Sequence, residues 1–191
     1  MRNPSLSGIQ TTKTTVDFCV VGAGVAGICA AVSAARRGCR VALIHDRPVL
    51  GGNASSEIRM HICGARDLRE AGLIEEIELE NIYRNPLKNY SIWDSVLYEI
   101  AKNESSIELI LNCSVCDATM DGDRIRSVKG WQTTTQTWRI VEAAMFADCS
   151  GDSILAPLSG ADYRWGREAS SEFNESRSEE HTSELQSRIT I

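Results

Sequence analysis

The sequence lacks a long apolar run, a cluster of basic residues and an N-terminal targeting pattern. No stretch approaches the ~20 apolar residues that a membrane-spanning helix needs. The 191 residues include 20 basic and 26 acidic side chains without a Lys/Arg cluster, which argues against binding to nucleic-acid phosphates. Residues 1–16 are polar and rich in Thr, without the apolar segment of a secretory signal. We therefore expect neither nucleic acid nor a membrane as a partner.

The composition is that of a globular protein, and its cysteines indicate a reducing compartment. A hydrophobic content of 42% in a chain of this length allows one domain with its own core. Seven cysteines are an odd number, and Cys19, Cys29 and Cys39 fall within apolar segments where free thiols act as small hydrophobic groups. We expect a cytoplasmic protein, and the sequence leaves its oligomeric state open.

The last residues do not resemble a natural protein. Residues 177–187, RSEEHTSELQS, resemble the translation of a common DNA-sequencing adapter and are excluded from reasoning about the fold. We expect the natural chain to continue past Ser176, so that this chain is a fragment, and we give His181 no functional weight. A genuine disordered acidic tail is the alternative.

The apolar pattern near the N-terminus predicts a βαβ unit. Residues 16–21 form a short apolar run that ends at Gly22, as a buried parallel strand does. Residues 28–37 have alanine-rich helical spacing that stops at Gly38, and residues 40–44 read as a second buried strand. Two parallel strands joined by a helix follow from this order.

The remaining pattern adds helices, one more parallel strand and a β-meander. Apolar spacing predicts the helices, and alternation bounded by turns predicts the strands. The helices are expected at 67–80 and 91–101, the strands at 107–111, 115–118, 125–131, 138–143 and 144–148, with a turn at 121–123.

A glycine motif lies between the first strand and the first helix. Gly22, Gly24 and Gly27 form GxGxxG. The first glycine permits a tight turn, the second lets the backbone approach a pyrophosphate, and the third lets the helix pack on the strand. This position in a βαβ unit predicts dinucleotide binding.

The residue that binds the adenosine ribose is expected at the end of the second strand, where Asp or Glu is usual. His45 occupies that position here, and Asp46 follows it. Either residue could hydrogen-bond a ribose hydroxyl, and His45 could instead be a histidine satisfied within the protein.

The segment from DFCVVGAGVAGICAAVSAARRGCRVALI through VLGGN resembles the N-terminal FAD motif of FAD-dependent oxidoreductases. GGNASSEIRMHICGA and FADCSGDSILAPLSGADYRWGREA are similar to a bacterial family of that name, over about residues 15–176. The resemblance implies a Rossmann-type α/β FAD-binding domain with a parallel sheet and an inserted β-meander, incomplete at the C-terminal side. It divides the chain into a polar arm (1–15), a partial FAD-binding domain (16–176) and the adapter-like tail (177–191).

The resemblance also implies which residues meet FAD. The three motif glycines would contact the pyrophosphate, the second glycine pair would line the path of the cofactor, and one backbone segment would meet the adenine. A late acidic loop would meet the ribityl or pyrophosphate part. These residues are Gly22, Gly24, Gly27, His45, Asp46, Gly51, Gly52, Asn53, Val115, Gly151 and Asp152.

Catalytic candidates follow the second glycine pair. His61 is a candidate acid or base, Arg59 a candidate anion clamp, and Cys63 either a reactive or an inert thiol. Glu57 and Arg59 could equally form a surface ion pair. Cys113 and Cys116 form a lone CxxC in a predicted strand, so we expect no metal site.

The sequence thus predicts the FAD-binding portion of a flavin-dependent oxidoreductase that acts on an unidentified small molecule. The fragment alone is expected to be inactive. A flavoprotein with structural or non-redox FAD and an NAD(P)-binding module are the alternatives.

Overall fold

The computed structural model describes residues 9–63 and 71–164. The chain divides into two units, residues 1–159 and 160–191, and the helices and strands of the described part all belong to the first unit. The described residues of the second unit, 160–164, contain neither helix nor strand. The adapter-like tail and His181 lie outside the described residues.

Strands and helices follow one another in the order expected of an α/β protein, which confirms the predicted fold class. In chain order they are β1 (Thr11–Val21), α1 (Val25–Ala35), β2 (Val41–Ile44), a short 3-10 helix (Gly52–Ala54), α2 (Leu73–Arg84), α3 (Tyr90–Lys102), β3 (Ile107–Ile110), β4 (Cys113–Asp121), β5 (Arg124–Gln132), β6 (Thr137–Asp148) and α4 (Leu155–Ser159).

The strands form one six-stranded sheet in the order β3-β2-β1-β6-β5-β4. β3, β2, β1 and β6 are parallel, whereas β5 and β4 each run antiparallel to their neighbour. The buried apolar residues of these four parallel strands include all of β2 and the end of β1, where both faces of the sheet are covered. Their carboxyl ends therefore lie along one edge of the sheet.

Alternate residues of the parallel strands build two separate cores. Val20 and Leu43 face α1 and α3, where they pack with residues such as Ile28. Cys19 and Ile44 point to the other face and pack with residues of the meander and α4. This period of two explains why every residue of β2 is buried.

β1 is longer than the apolar run predicts. It begins at Thr11, so residues 11–15 of the predicted polar arm pair with β6 from Trp138 to Glu142. Lys13 Nζ also lies 2.8 Å from Glu142 Oε1. These residues alternate between exposed and half-buried positions, so they give no apolar signal although threonine favours strands.

The two last predicted strands, 138–143 and 144–148, are a single strand, β6. Its first half pairs with both β1 and β5, whereas its second half pairs with β1 alone. The meander is therefore continuous with the parallel sheet, since its last strand is a central strand of that sheet. The predicted helix at 67–80 is observed as α2, and residues 67–70 lie outside the described residues.

Close packing at Gly27 generates a stability prediction. A Cβ at this position would lie 1.9 Å from Gly22 O, a backbone atom that cannot move aside. We expect Gly27→Ala to lower the free energy of unfolding by about 3 kcal/mol or to prevent folding. Gly38→Ala is the control, because its Cβ would meet no atom within 4 Å. Its positive φ costs about 1–2 kcal/mol. Urea denaturation followed by circular dichroism measures both, and equal losses would contradict the packing argument.

Candidate functional site

The site lies where the carboxyl ends of β1, β2 and β6 meet. Gly22 follows β1, His45 follows β2 and Cys149 follows β6. Backbone hydrogen bonds connect these ends: Gly22 N–H donates to Ile44 O at 2.8 Å, and Cys149 N–H donates to Val21 O at 2.7 Å. Crevices at such strand ends are the usual ligand sites of open α/β sheets.

The N-terminus of α1 faces this crevice. Gly24 is its N-cap residue, with no side-chain cap and no acidic residue in the first turn. The free N–H groups of the first turn and the helix dipole favour an anion there. Gly24, Val25 and Ala26 line the crevice, whereas Gly22 and Gly27 are buried.

The three motif glycines differ in how much space surrounds them. A Cβ at Gly22 would lie 2.2 Å from Cys149 O, and one at Gly27 would lie 1.9 Å from Gly22 O, so these two glycines permit close packing. A Cβ at Gly24 would meet nothing within 4 Å, and its φ of −63° suits any residue. The space beside Gly24 is therefore open to a ligand.

A second glycine turn lies directly against the first. Gly24 and Gly51 form a parallel bridge, and Gly51 N–H donates to Ala23 O at 2.8 Å. A Cβ at Gly52 would lie 3.2 Å from Gly24 Cα. The GG pair, which the resemblance places along the path of the cofactor, thus lies in backbone contact with the dinucleotide motif.

α3 holds the segment that follows this turn. Trp93 Nε1 donates to Ala54 O at 2.7 Å, and Ser56 N–H donates to Asp94 Oδ1 at 2.8 Å. Tyr90 Oη donates to Arg59 O at 3.0 Å. Residues 54–59 are consequently fixed to a rigid helix.

These elements enclose two adjoining cavities, of about 660 and 180 Å³, which together we call the groove. Asp46, Ser150 and Asp152 line both cavities, so the two cavities adjoin at these residues. Of the residues predicted to bind a cofactor, Gly24, His45, Gly51, Gly52, Asn53 and Gly151 line the larger cavity, Gly22 and Val115 the smaller, and Asp46 and Asp152 both. Gly27 is not among the lining residues.

The late acidic loop is held by Asp148. Its carboxylate accepts hydrogen bonds from Ser150 N–H at 3.0 Å, Ser150 Oγ at 2.7 Å and Leu155 N–H at 2.7 Å. Ser150, Gly151 and Asp152 are thereby presented to the groove. Asp148 itself was not among the predicted site residues, although an acidic residue just before a Ser-Gly turn is a signal for such a cap.

The catalytic candidates are placed differently from one another. His61 and Cys63 line the larger cavity, and Cys63 Sγ lies 3.3 Å from His61 Nε2. Arg59 points away: its Nε donates to Ser56 O, and its guanidinium carbon lies 5.3 Å from the centre of the Tyr90 ring. A thiol and an imidazole thus adjoin the groove, whereas the candidate anion clamp does not line it.

Glu57 pairs with Arg47, at 2.9 Å, rather than with Arg59. Arg47 lines the groove beside Asp46 and was missed by the sequence analysis, since a basic residue in a loop carries no signal.

Two thiols that line the groove have low reactivity at neutral pH. Burial raises the pKa of Cys29, and burial together with Asp148 raises the pKa of Cys149. Both thiols are therefore protonated at neutral pH and poorly nucleophilic.

In the described part of the chain, no three His, Cys, Asp or Glu side chains are grouped as metal ligands. Cys113 is buried and Cys116 is exposed, as expected for two positions on opposite faces of a strand. Within residues 9–63 and 71–164, no helix is long and apolar enough to cross a membrane.

Comparisons with known proteins agree with this geometry. The sequence profile of a family described as "FAD dependent oxidoreductase" matches residues 17–189. A stretch of 40 residues, 21% of this chain, is 58% identical to a fumarate reductase (cytochrome) of Shewanella frigidimarina and covers 7% of that protein.

Solved structures share the fold. A flavoprotein/dehydrogenase of Cytophaga hutchinsonii matches with a TM-score of 0.56 and 17% identity, over 81% of this chain and 44% of that one. A quinol fumarate reductase of E. coli matches with a TM-score of 0.56 and 15% identity, over 73% of this chain and 33% of that one. The chain therefore spans less than half the length of either structure.

The open space beside Gly24 generates a binding prediction. We expect Gly24→Val to fold with a free energy of unfolding within about 1 kcal/mol of the wild type, since the new side chain meets no protein atom. The valine would fill the ligand's space and weaken FAD binding about tenfold or more. Quenching of flavin fluorescence measures affinity, with Gly38→Ala as the folded control. Unchanged affinity would contradict the assignment of Gly24.

Proposed function

The chain belongs to the FAD dependent oxidoreductase family and its cofactor is FAD, and on that premise we propose that residues 16–176 are the FAD-binding portion of a flavin-dependent oxidoreductase that acts on a small-molecule substrate. The observation that carries this proposal is the pair of glycine turns at the N-terminus of α1, with open space beside Gly24.

The residues present fit this cofactor along the whole groove. The first turn of α1 and Gly24 would bind the pyrophosphate through backbone N–H groups. Val115 lines the smaller cavity, where its backbone would meet the adenine. Gly51, Gly52 and Asn53 on one side, and Gly151 and Asp152 on the other, would hold the ribityl chain.

When bound, FAD supplies hydride or single-electron transfer. The chain's own residues would bind it, orient it and handle protons. His61 and Cys63 line the larger cavity and not the smaller one, and we propose that His61 moves a proton during turnover. We propose no role in proton transfer for the protonated thiols of Cys29 and Cys149. Seven free cysteines are consistent with work in a reducing compartment.

Titration of the purified chain with FAD tests the proposal. We expect saturable binding of one FAD per chain, seen as quenching of flavin fluorescence, with NAD⁺ and NADP⁺ unable to displace it. The expectation follows from a groove that continues past the pyrophosphate site along the second glycine turn. A folded chain that binds no FAD, or that prefers NAD(P)⁺, would refute the proposal.

Anaerobic reduction separates a redox cofactor from a structural one. In the full-length protein, of which this chain is expected to be a fragment, the bound flavin should be bleached by at least one donor in a panel of hydroxy acids, amines and thiols, and His61→Gln should slow that bleaching without changing FAD affinity. A flavin that stays oxidised with every donor would favour a non-redox flavoprotein.

A further inference from the structure

His45 occupies the position of the usual ribose-binding carboxylate, yet its ring nitrogens are not available to a ligand. The side chain is only 6% exposed. Nδ1 accepts a hydrogen bond from Ala23 N–H at 3.1 Å, and Nε2 is buried without a hydrogen-bond partner. His45 lines the groove, but both of its polar atoms face the protein.

The contact with Ala23 determines the protonation state and the tautomer of the His45 ring. An imidazole nitrogen that accepts a hydrogen bond carries no proton, so His45 is neutral with its proton on Nε2. Burial has the largest effect on the pKa of His45 and lowers it, as does Arg47, whereas Asp46, Glu57 and the Val49 backbone oppose that shift. The neutral form is thus the one that its surroundings favour.

The Ala23 peptide is central to the glycine turns. Its N–H is held by His45, and its carbonyl accepts from Gly51 N–H at 2.8 Å. Ala23 is fully buried, so a water molecule cannot replace His45 as its partner. Loss of the Nδ1 acceptor would leave a buried donor unpaired at the point where the two turns meet.

Asp46, unlike His45, has an exposed side chain that can accept hydrogen bonds from a ligand. Its side chain is 59% exposed, and it lines both cavities of the groove. An ionised carboxylate is an acceptor only, which matches the two hydroxyl donors of a ribose. Asp46 Oδ1 lies 3.4 Å from His45 Nδ1, so the two side chains are neighbours, but a nitrogen that accepts from Ala23 N–H has no proton to donate to the carboxylate.

Building on the proposed FAD binding, we propose that Asp46 accepts the ribose hydroxyl hydrogen bonds, and that His45 is a positioning residue that holds the first glycine turn by accepting the Ala23 N–H at Nδ1.

Calorimetric titration with ADP and with 2′,3′-dideoxy-ADP tests the part assigned to Asp46. The wild type should bind ADP about tenfold more tightly, because hydrogen bonds to a charged acceptor are lost with the hydroxyls. Asp46→Ala should abolish this preference. Asp123→Ala, which removes an exposed carboxylate from the β4–β5 turn, should keep it.

Asp152→Ala is the second comparison, because Asp152 also lines both cavities. It should retain the preference for ADP even if both nucleotides bind more weakly. Retention of the preference in Asp46→Ala, or its loss in Asp152→Ala, would overturn the assignment. A wild-type chain that binds neither FAD nor ADP would refute the proposed function itself, whereas FAD binding without any preference for ADP refutes only the part assigned to Asp46.

Two substitutions distinguish the nitrogens of His45. Asn places an amide oxygen near the position of Nδ1, whereas Gln places one near that of Nε2. We expect His45→Gln to weaken FAD binding about tenfold and His45→Asn to restore most of that loss. Equal effects of the two, or rescue by Gln alone, would overturn the positioning assignment.

Nitrogen NMR of the wild-type ring gives a readout that needs neither a variant nor a ligand. The ligand-free protein should show a neutral His45 with its proton on Nε2. A proton on Nδ1 would contradict the hydrogen bond from Ala23, whatever the variants do.

Discussion

The backbone contact between the two glycine turns is the constraint on which the site depends. Gly51 N–H donates to Ala23 O, and a Cβ on Gly52 would press on Gly24 Cα at 3.2 Å. A larger residue at Gly52 would separate the two turns, whereas the side of Gly24 that faces the groove is open. The contact holds the turn that follows β1 against the start of the 3-10 helix Gly52–Ala54, beside the N-terminus of α1.

The sheet order explains why the groove forms at this place. From β1 the chain crosses to β2 on one side, while β6 returns much later in the sequence to the other side. The connection from β1 crosses to β2 on one side and β6 lies on the other, so the segments that follow β1, β2 and β6 border a crevice at the carboxyl end of β1. Val21, His45 and Cys149 become neighbours there although they are distant in the sequence.

Polar groups are distributed unevenly along the groove. Asp46 and Asp152 line both cavities, whereas Arg47, His61 and Cys63 line only the larger one. This distribution is consistent with the proposed function, in which the smaller cavity binds part of the nucleotide and the larger one also adjoins the reactive ring. The protein supplies position and protons there, and the redox chemistry belongs to the cofactor.

Local patterns predicted much of the fold, and their failures have a common cause. The βαβ unit followed from apolar runs and from Gly22 and Gly38, since burial and positive φ are properties of single segments. The start of β1 at Thr11 and the continuity of β6 were missed. Both depend on pairing between distant strands, which leaves no periodic signal in polar residues.

The sequence by itself determined that a strand, a glycine turn and a helix would create an anion-binding N-terminus, because those preferences act within a few residues. Only the tertiary structure decided which partners the polar side chains take. His45 Nδ1 is engaged by a buried backbone N–H, Glu57 pairs with Arg47, and Arg59 lies over Tyr90. The physical reason is that a hydrogen bond or ion pair forms with whichever group the folded chain brings within about 3 Å, and in these cases that group comes from another turn, loop or helix.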